Sequence, residues 1–208
     1  MPAERIGVQT DALEIGRRTL GVRRFVPCRT IVLVGLMGAG KTKIGRRLAI
    51  RLGLPFFDSD QEIQAAAGET IEEIFANRGE PAFRDGERRV IARLLGGSVH
   101  VLATGGGAFM DPVTRAVIAR RGVSLWLRAD LDVLVQRVSR RADRPLLKAG
   151  DPRAILGELI ERRHPIYAKA EVTVDSGDGS SETTVSRAIA ALAACSCTMT
   201  PPDTDSEG

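Results

Sequence analysis

Long apolar runs are missing from this 208-residue chain. None approaches the eighteen or more residues that a membrane span needs, so no membrane segment is expected. Cysteine is scarce. Cys28, Cys195 and Cys197 are too few and too terminal for a disulfide framework, which favours a reducing cytoplasm. With only His100 and His164 elsewhere, Cys195 and Cys197 also lack partners for a metal and read as two thiols in a frayed tail. Aromatic residues make up 4%, and no lysine or arginine block stands alone despite a formal charge of +4. That combination argues against a nucleic-acid partner. Arginines set singly or in pairs between helices suit an acidic small molecule plus a nucleotide. Glu4, Asp11, Glu14, Arg17 and Arg18 interrupt any apolar leader at the N-terminus. The remaining composition, 43% apolar, is that of one α/β domain with room for a core.

What is present starts with Gly35-Leu36-Met37-Gly38-Ala39-Gly40-Lys41-Thr42. Four apolar residues, 31–34, precede it and an apolar helical period begins at Ile44. That is the strand–loop–helix order in which such a loop cradles phosphate. Gly35 and Gly40 allow the tight turn, and the helix start adds orphan N–H donors and a positive dipole end. Lys41 is placed for the β/γ-phosphates, and Thr42 can give its hydroxyl to Mg²⁺.

A short strand at 55–57 delivers Asp58-Ser59-Asp60 to the carboxyl edge of the sheet, where ligands bind in open α/β folds. Two carboxylates there suggest a magnesium shell and a group that orients a hydroxyl. The lesser alternative is that Asp60 simply caps a helix over 61–67. Helical stretches follow at 63–67, 71–77 and 81–95, with a capping box between Thr70 and Glu73. Arg84 and Glu87 can pair on one helix face, as a site pair or as an ordinary surface ion pair. A strand over 99–103 ends in Gly105-Gly106-Gly107, a run that makes sense where a ligand approaches the backbone. Asp111-Pro112 opens the next helix, to about 121. A strand over 123–127 and a helix over 131–138 come after it. The cation-rich segment 140–152 reads as a mobile lid or as a solvated charge run. A helix over 154–167, a strand over 171–174 and a helix over 185–194 complete the pattern.

The P-loop, the Asp58/Asp60 pair, Phe83-Arg84 with Glu87, the Gly105–Gly107 turn, Arg144-Pro145-Leu146-Leu147 and Arg163-x-Pro165-x-Tyr167 resemble, in order and spacing, the shikimate kinases. The resemblance spans about residues 29–194, leaving 1–28 as an extension and 195–208 as a tail. It implies a three-layer P-loop kinase fold, with a five-stranded parallel sheet of order 2-3-1-4-5 flanked by helices and a lid at about 140–152. It implies Mg-dependent transfer of the ATP γ-phosphoryl group to the 3-hydroxyl of shikimate in aromatic amino acid biosynthesis, with one Mg²⁺ per subunit. Gly38, Ala39, Gly40, Lys41, Thr42, Lys43, Arg137 and Arg144 would then serve ATP, Arg137 packing against adenine. Thr42 and Asp58 would serve the metal. Asp60, Arg84, Gly105, Gly106, Gly107 and Arg163 would bind shikimate, the two arginines at its carboxylate, with Glu87 orienting Arg84. Lys41, Asp60 and Arg144 would carry catalysis. A cytoplasmic monomer acting on small molecules is expected. The competing reading is another small-molecule P-loop kinase of the gluconate-kinase type, which gives no reason for the glycine turn with both arginines.

Overall fold

The computed structural model describes residues 25–140, 150–177 and 179–195. The N-terminal extension up to residue 24, most of the expected lid including Arg144, and the tail from 196 lie outside them.

Thr30–Val34 (β1) is buried along its whole length, as a strand of four apolar residues behind one threonine at the centre of a sheet must be. Parallel strands need crossovers, and the helices supply them. The chain runs β1, Lys41–Leu52 (α1), Phe56–Asp58 (β2), Ser59–Ala67 (α2), Ile71–Leu94 (α3), Val101–Ala103 (β3), Pro112–Arg121 (α4), Gly122–Arg128 (β4), Leu131–Ser139 (α5), Pro152–Tyr167 (α6), Val172–Asp175 (β5) and Ser181–Ala194 (α7). A single 3₁₀ turn, Ala108–Met110, precedes α4. The five strands are parallel in the order β2-β3-β1-β4-β5, with Ile31 opposite both Val101 and Val123. This is the expected topology.

Several helix boundaries have a local cause. Gly53 ends α1 in the left-handed conformation, and its N–H closes on the Ala49 and Ile50 carbonyls. The capping box at Thr70 and Glu73 is present at the start of α3. Gly79, at φ 77° and ψ 170°, is non-helical and divides Ile71–Leu94 into two helical segments just before Pro81, so the expected pair of helices is present within α3. The face of α1 carrying Ile44, Leu48 and Ala49 packs into the main core with β1, Leu102 and Leu125. Truncating the fully buried Leu48 to alanine would cost about 2–5 kcal/mol. A smaller cluster of Ile63, Ile74, Phe83 and Val90 joins α2 to the two halves of α3. The Arg84 guanidinium carbon lies 5.1 Å from the ring centroid of Phe83, a member of this satellite core. Among the described residues no helix is long and apolar enough to cross a membrane. Cys195, read from the sequence as a thiol, is disulfide-bonded.

Candidate active site

The carboxyl ends of β1, β2, β3 and β5 open on one cavity of about 820 Å³. Gly38, Gly40, Lys41, Thr42 and Lys43 form one wall; Asp58, Asp60, Gly105 and Gly106 form another, and Arg137 and Ser176 close the side. Gly35, Gly38 and Gly40 all have positive φ, the backbone that a phosphate cradle uses. Lys41 Nζ donates to the Gly35 and Leu36 carbonyls at 2.8 and 2.9 Å, which fixes the ammonium over the loop. Ala39 is buried and its N–H donates to the Leu36 carbonyl, so its amide serves the turn itself.

Asp58 does two things. Its Oδ1 accepts the Asp60 N–H at 3.1 Å and caps α2, while Oδ2 accepts the Thr42 hydroxyl at 2.8 Å. The helix therefore starts at Ser59, and the cap is Asp58 rather than Asp60. Asp60 keeps its carboxylate for the cavity. Burial pushes its pKa up, and the charge of Asp58 adds to this, against smaller opposing effects from Lys41, Ser59 and Arg84.

The glycine turn gathers the other charged groups. A Cβ at Gly107 would lie 2.6 Å from Arg84 Nη1, so the guanidinium packs directly on that backbone and no side chain fits between them. Arg84 donates to Glu87 Oε2 at 2.8 Å and to Glu80 Oε1 at 3.2 Å through Nε. Glu87 is only 3% exposed, which removes the surface-pair reading. Burial lowers the Arg84 pKa, but Glu87 and Glu80 raise it more. Burial raises that of Glu87, with Arg84 opposing and Asp60 and Asp111 adding. Arg163, on α6, donates to the Gly106 carbonyl at 3.2 Å. The cavity wall ends at Gly106, and Arg84 and Arg163 adjoin it through the turn rather than lining it. Arg137 donates to Ser176 Oγ at 3.1 Å and to the Gly177 carbonyl, tying the P-loop side to the loop after β5.

Three residues escaped the sequence reading. Ser59 is fully buried and accepts the Gly105 N–H at 3.0 Å. Tyr167 is fully buried and its hydroxyl donates to the Gly106 carbonyl beside Arg163; burial raises its pKa to about 12. Ser176 donates to the Ala39 carbonyl at 2.9 Å. Ser59 and Tyr167 stand inside motifs already singled out, but nothing in a sequence marks a polar side chain as buried. Ser176 carried no signal.

The shikimate kinase family matches residues 37–193. The shikimate kinase of Paramagnetospirillum magneticum is 61% identical over 79% of this chain and 84% of its own length. The shikimate kinase of Acinetobacter baumannii, solved in complex with shikimate, is 38% identical over 80% of this chain and 92% of that one, with a TM-score of 0.74. A gluconokinase from Sinorhizobium meliloti, at 21% identity over 82% of this chain and 94% of that one and a TM-score of 0.55, shares the fold alone. With the P-loop, the two aspartates and the arginine-flanked glycine turn all in place, this chain belongs to the shikimate kinase family.

Proposed function

We propose that this site transfers the γ-phosphoryl group of ATP to the 3-hydroxyl of shikimate, giving shikimate 3-phosphate and ADP, and that residues 29–194 are the catalytic domain. One observation carries the reading: Asp60, Arg84 and Arg163 converge on three consecutive glycines beside the P-loop. Two guanidinium forks suit a planar carboxylate. Asp60 suits the hydroxyl that attacks phosphorus. Its raised pKa makes it a better proton acceptor than a solvated aspartate. The new bond forms between the shikimate oxygen and Pγ as the bond from Pγ to the β-bridging oxygen breaks, and Asp60 aligns or accepts the hydroxyl proton.

Lys41 and the P-loop amides hold the phosphates, and the ammonium meets charge that builds on the γ-oxygens. Thr42 Oγ1 and Asp58 Oδ2 are 2.8 Å apart, two hard oxygen donors of the kind that suits Mg²⁺. Among the described residues no three acidic, histidine or cysteine side chains cluster, which fits an ion shared with phosphate and water. Mg²⁺ bound there would neutralise charge on the β- and γ-phosphates. Arg137, with its edge bonded to Ser176 and Gly177, keeps the adenine-side role, and Arg144 supplies further positive charge to the transferring group. A monomer acting on small molecules is part of the same reading, and the need for ATP suits the cytoplasm.

A coupled assay of ADP formation tests the reading with ATP, Mg²⁺ and either shikimate or gluconate. Rapid turnover with shikimate alone is expected. Turnover with gluconate instead would move the enzyme to the sugar-acid kinases.

A further inference from the structure

Ser59 lies between the two aspartates on the first turn of α2, fully buried and away from the cavity wall. Its hydroxyl has partners on both sides. It accepts the Gly105 N–H at 3.0 Å, and its own proton faces Asp60 Oδ1 at 3.5 Å. One donor and two lone pairs accommodate both contacts together. The turn has other anchors: Thr104 Oγ1 donates to the Leu33 carbonyl at 2.9 Å, and Arg163 and Tyr167 hold the Gly106 carbonyl. Those fix the turn to β1 and to α6. Among the described residues, Ser59 is the side chain that links the turn to Asp60.

The spacing it spans is narrow. A Cβ at Gly105 would stand 2.8 Å from Asp60 Oδ1 and 3.0 Å from Glu87 Oε1. Glu87 Oε1 is buried and makes no hydrogen bond among the described residues. Two carboxylates and a backbone therefore meet at near-contact distance. A small shift of either side would move the hydroxyl-aligning oxygen relative to the turn that carries the rest of the ring. Phosphoryl transfer depends on such alignment, because the protein contributes position and charge rather than covalent chemistry.

We propose that Ser59 is a positioning residue for the transfer, fixing Asp60 against the Gly105–Gly107 turn. It touches neither substrate and acts through Gly105 and Asp60. This inference rests on the functional reading above, which the wild-type assay decides first: no ADP from wild-type enzyme with shikimate defeats that reading before any variant is measured.

The test compares wild type with Ser59→Ala in the same assay, alongside the affinity for a non-hydrolysable ATP analogue. Ser59→Ala is expected to lower kcat/KM for shikimate about thirtyfold, the size of one lost buried hydrogen bond. Both a higher shikimate KM and a lower kcat should contribute, with nucleotide affinity within twofold of wild type. Shikimate parameters within twofold of wild type would overturn the proposal. So would an equal loss of nucleotide and shikimate affinity, the signature of general damage. Should Ser59→Ala fail to fold, Ser59→Cys keeps the side chain's shape with a weak hydrogen-bonding group and is judged by the same two outcomes.

Discussion

The two halves of the active site are built in opposite ways. The phosphate cradle of the nucleotide half is a contiguous stretch, Gly35 to Thr42, that offers backbone amides, one ammonium and one hydroxyl. The acceptor half draws Asp60 from α2, Arg84 and Glu87 from α3, three glycines after β3 and Arg163 from α6. Local geometry makes the first half. Polar contacts between elements make the second, Ser59 on Gly105 and Tyr167 on Gly106, together with Glu87 holding Arg84 within α3. A single substitution in the P-loop should therefore damage catalysis while sparing the fold. Substitutions in the acceptor half should grade with the depth of the contact removed.

Lys41→Met is the largest expected effect. It removes the ammonium proposed to meet the β/γ-phosphates, where charge matters most in the transition state, so turnover should fall by several decades, roughly 4–6 kcal/mol. Circular dichroism and melting temperature should stay close to wild type. Near-normal turnover would break the assignment of the nucleotide half.

Arg84→Ala and Arg163→Ala come next. Each deletes a proposed charge-assisted partner of the shikimate carboxylate and should weaken shikimate binding by about 2–4 kcal/mol, read by calorimetry. ATP-analogue affinity, measured alone, should change little. An equal loss for both ligands would mean that the two halves are one cooperative unit and that the contrast fails.

Gly107→Ala sharpens the comparison at one methyl group. The added carbon would meet the Arg84 guanidinium at 2.6–2.9 Å, and the far end of a flexible side chain can retreat. The fold should hold while the arginine is displaced from its place against the Gly107 backbone. Shikimate KM should rise about tenfold, roughly 1.4 kcal/mol, with ATP KM unchanged. A melting temperature lowered by many degrees would instead show that the turn bears on the core.

This division also explains what could be read from the chain before folding. Strand β1, the P-loop and α1 follow from local rules, because apolar period, glycine placement and the Gly53 cap all lie within a few residues of each other. The sheet order came from the resemblance, since spacing alone leaves parallel order open. The balance between Asp60 as cap and as site residue was undecidable by propensity, for Asp58 and Asp60 are equally good caps. Only the observed Asp58–Asp60 N–H bond decides it. Strand β3 starts at Val101, two residues later than expected, because His100 is occupied with Thr30 and the Ser98 carbonyl. Helix α7 starts earlier, at Ser181, since the Ser180 hydroxyl caps the Thr183 N–H. Ser59 and Tyr167 were beyond reach for one reason: their roles depend on burial, which tertiary packing sets. Arg144 and the expected lid lie outside the described residues.

Tyr167→Phe should give the smallest effect, and it separates binding from stability. The phenylalanine ring can keep the stacking beside Phe109 and Trp126, and Arg163 still holds the Gly106 carbonyl. One hydrogen bond of two is lost, so shikimate KM at neutral pH should rise about fivefold, near 1 kcal/mol. The stability effect has a pH signature. The phenol titrates near 12 in the folded protein, against 10.0 for the ordinary group. Between those values the unfolded chain has released the proton while the folded one still holds it, so wild-type stability falls as pH rises through that window. Below pH 10 this contribution is fully present and constant. Phenylalanine has no such proton. Denaturant unfolding at pH 8 and at pH 11 should therefore show the variant gaining on wild type at the higher pH. A wild-type minus variant difference that is the same at both pH values would mean that the Tyr167 hydroxyl is not buried against Gly106, and this anchor of the acceptor half would be lost.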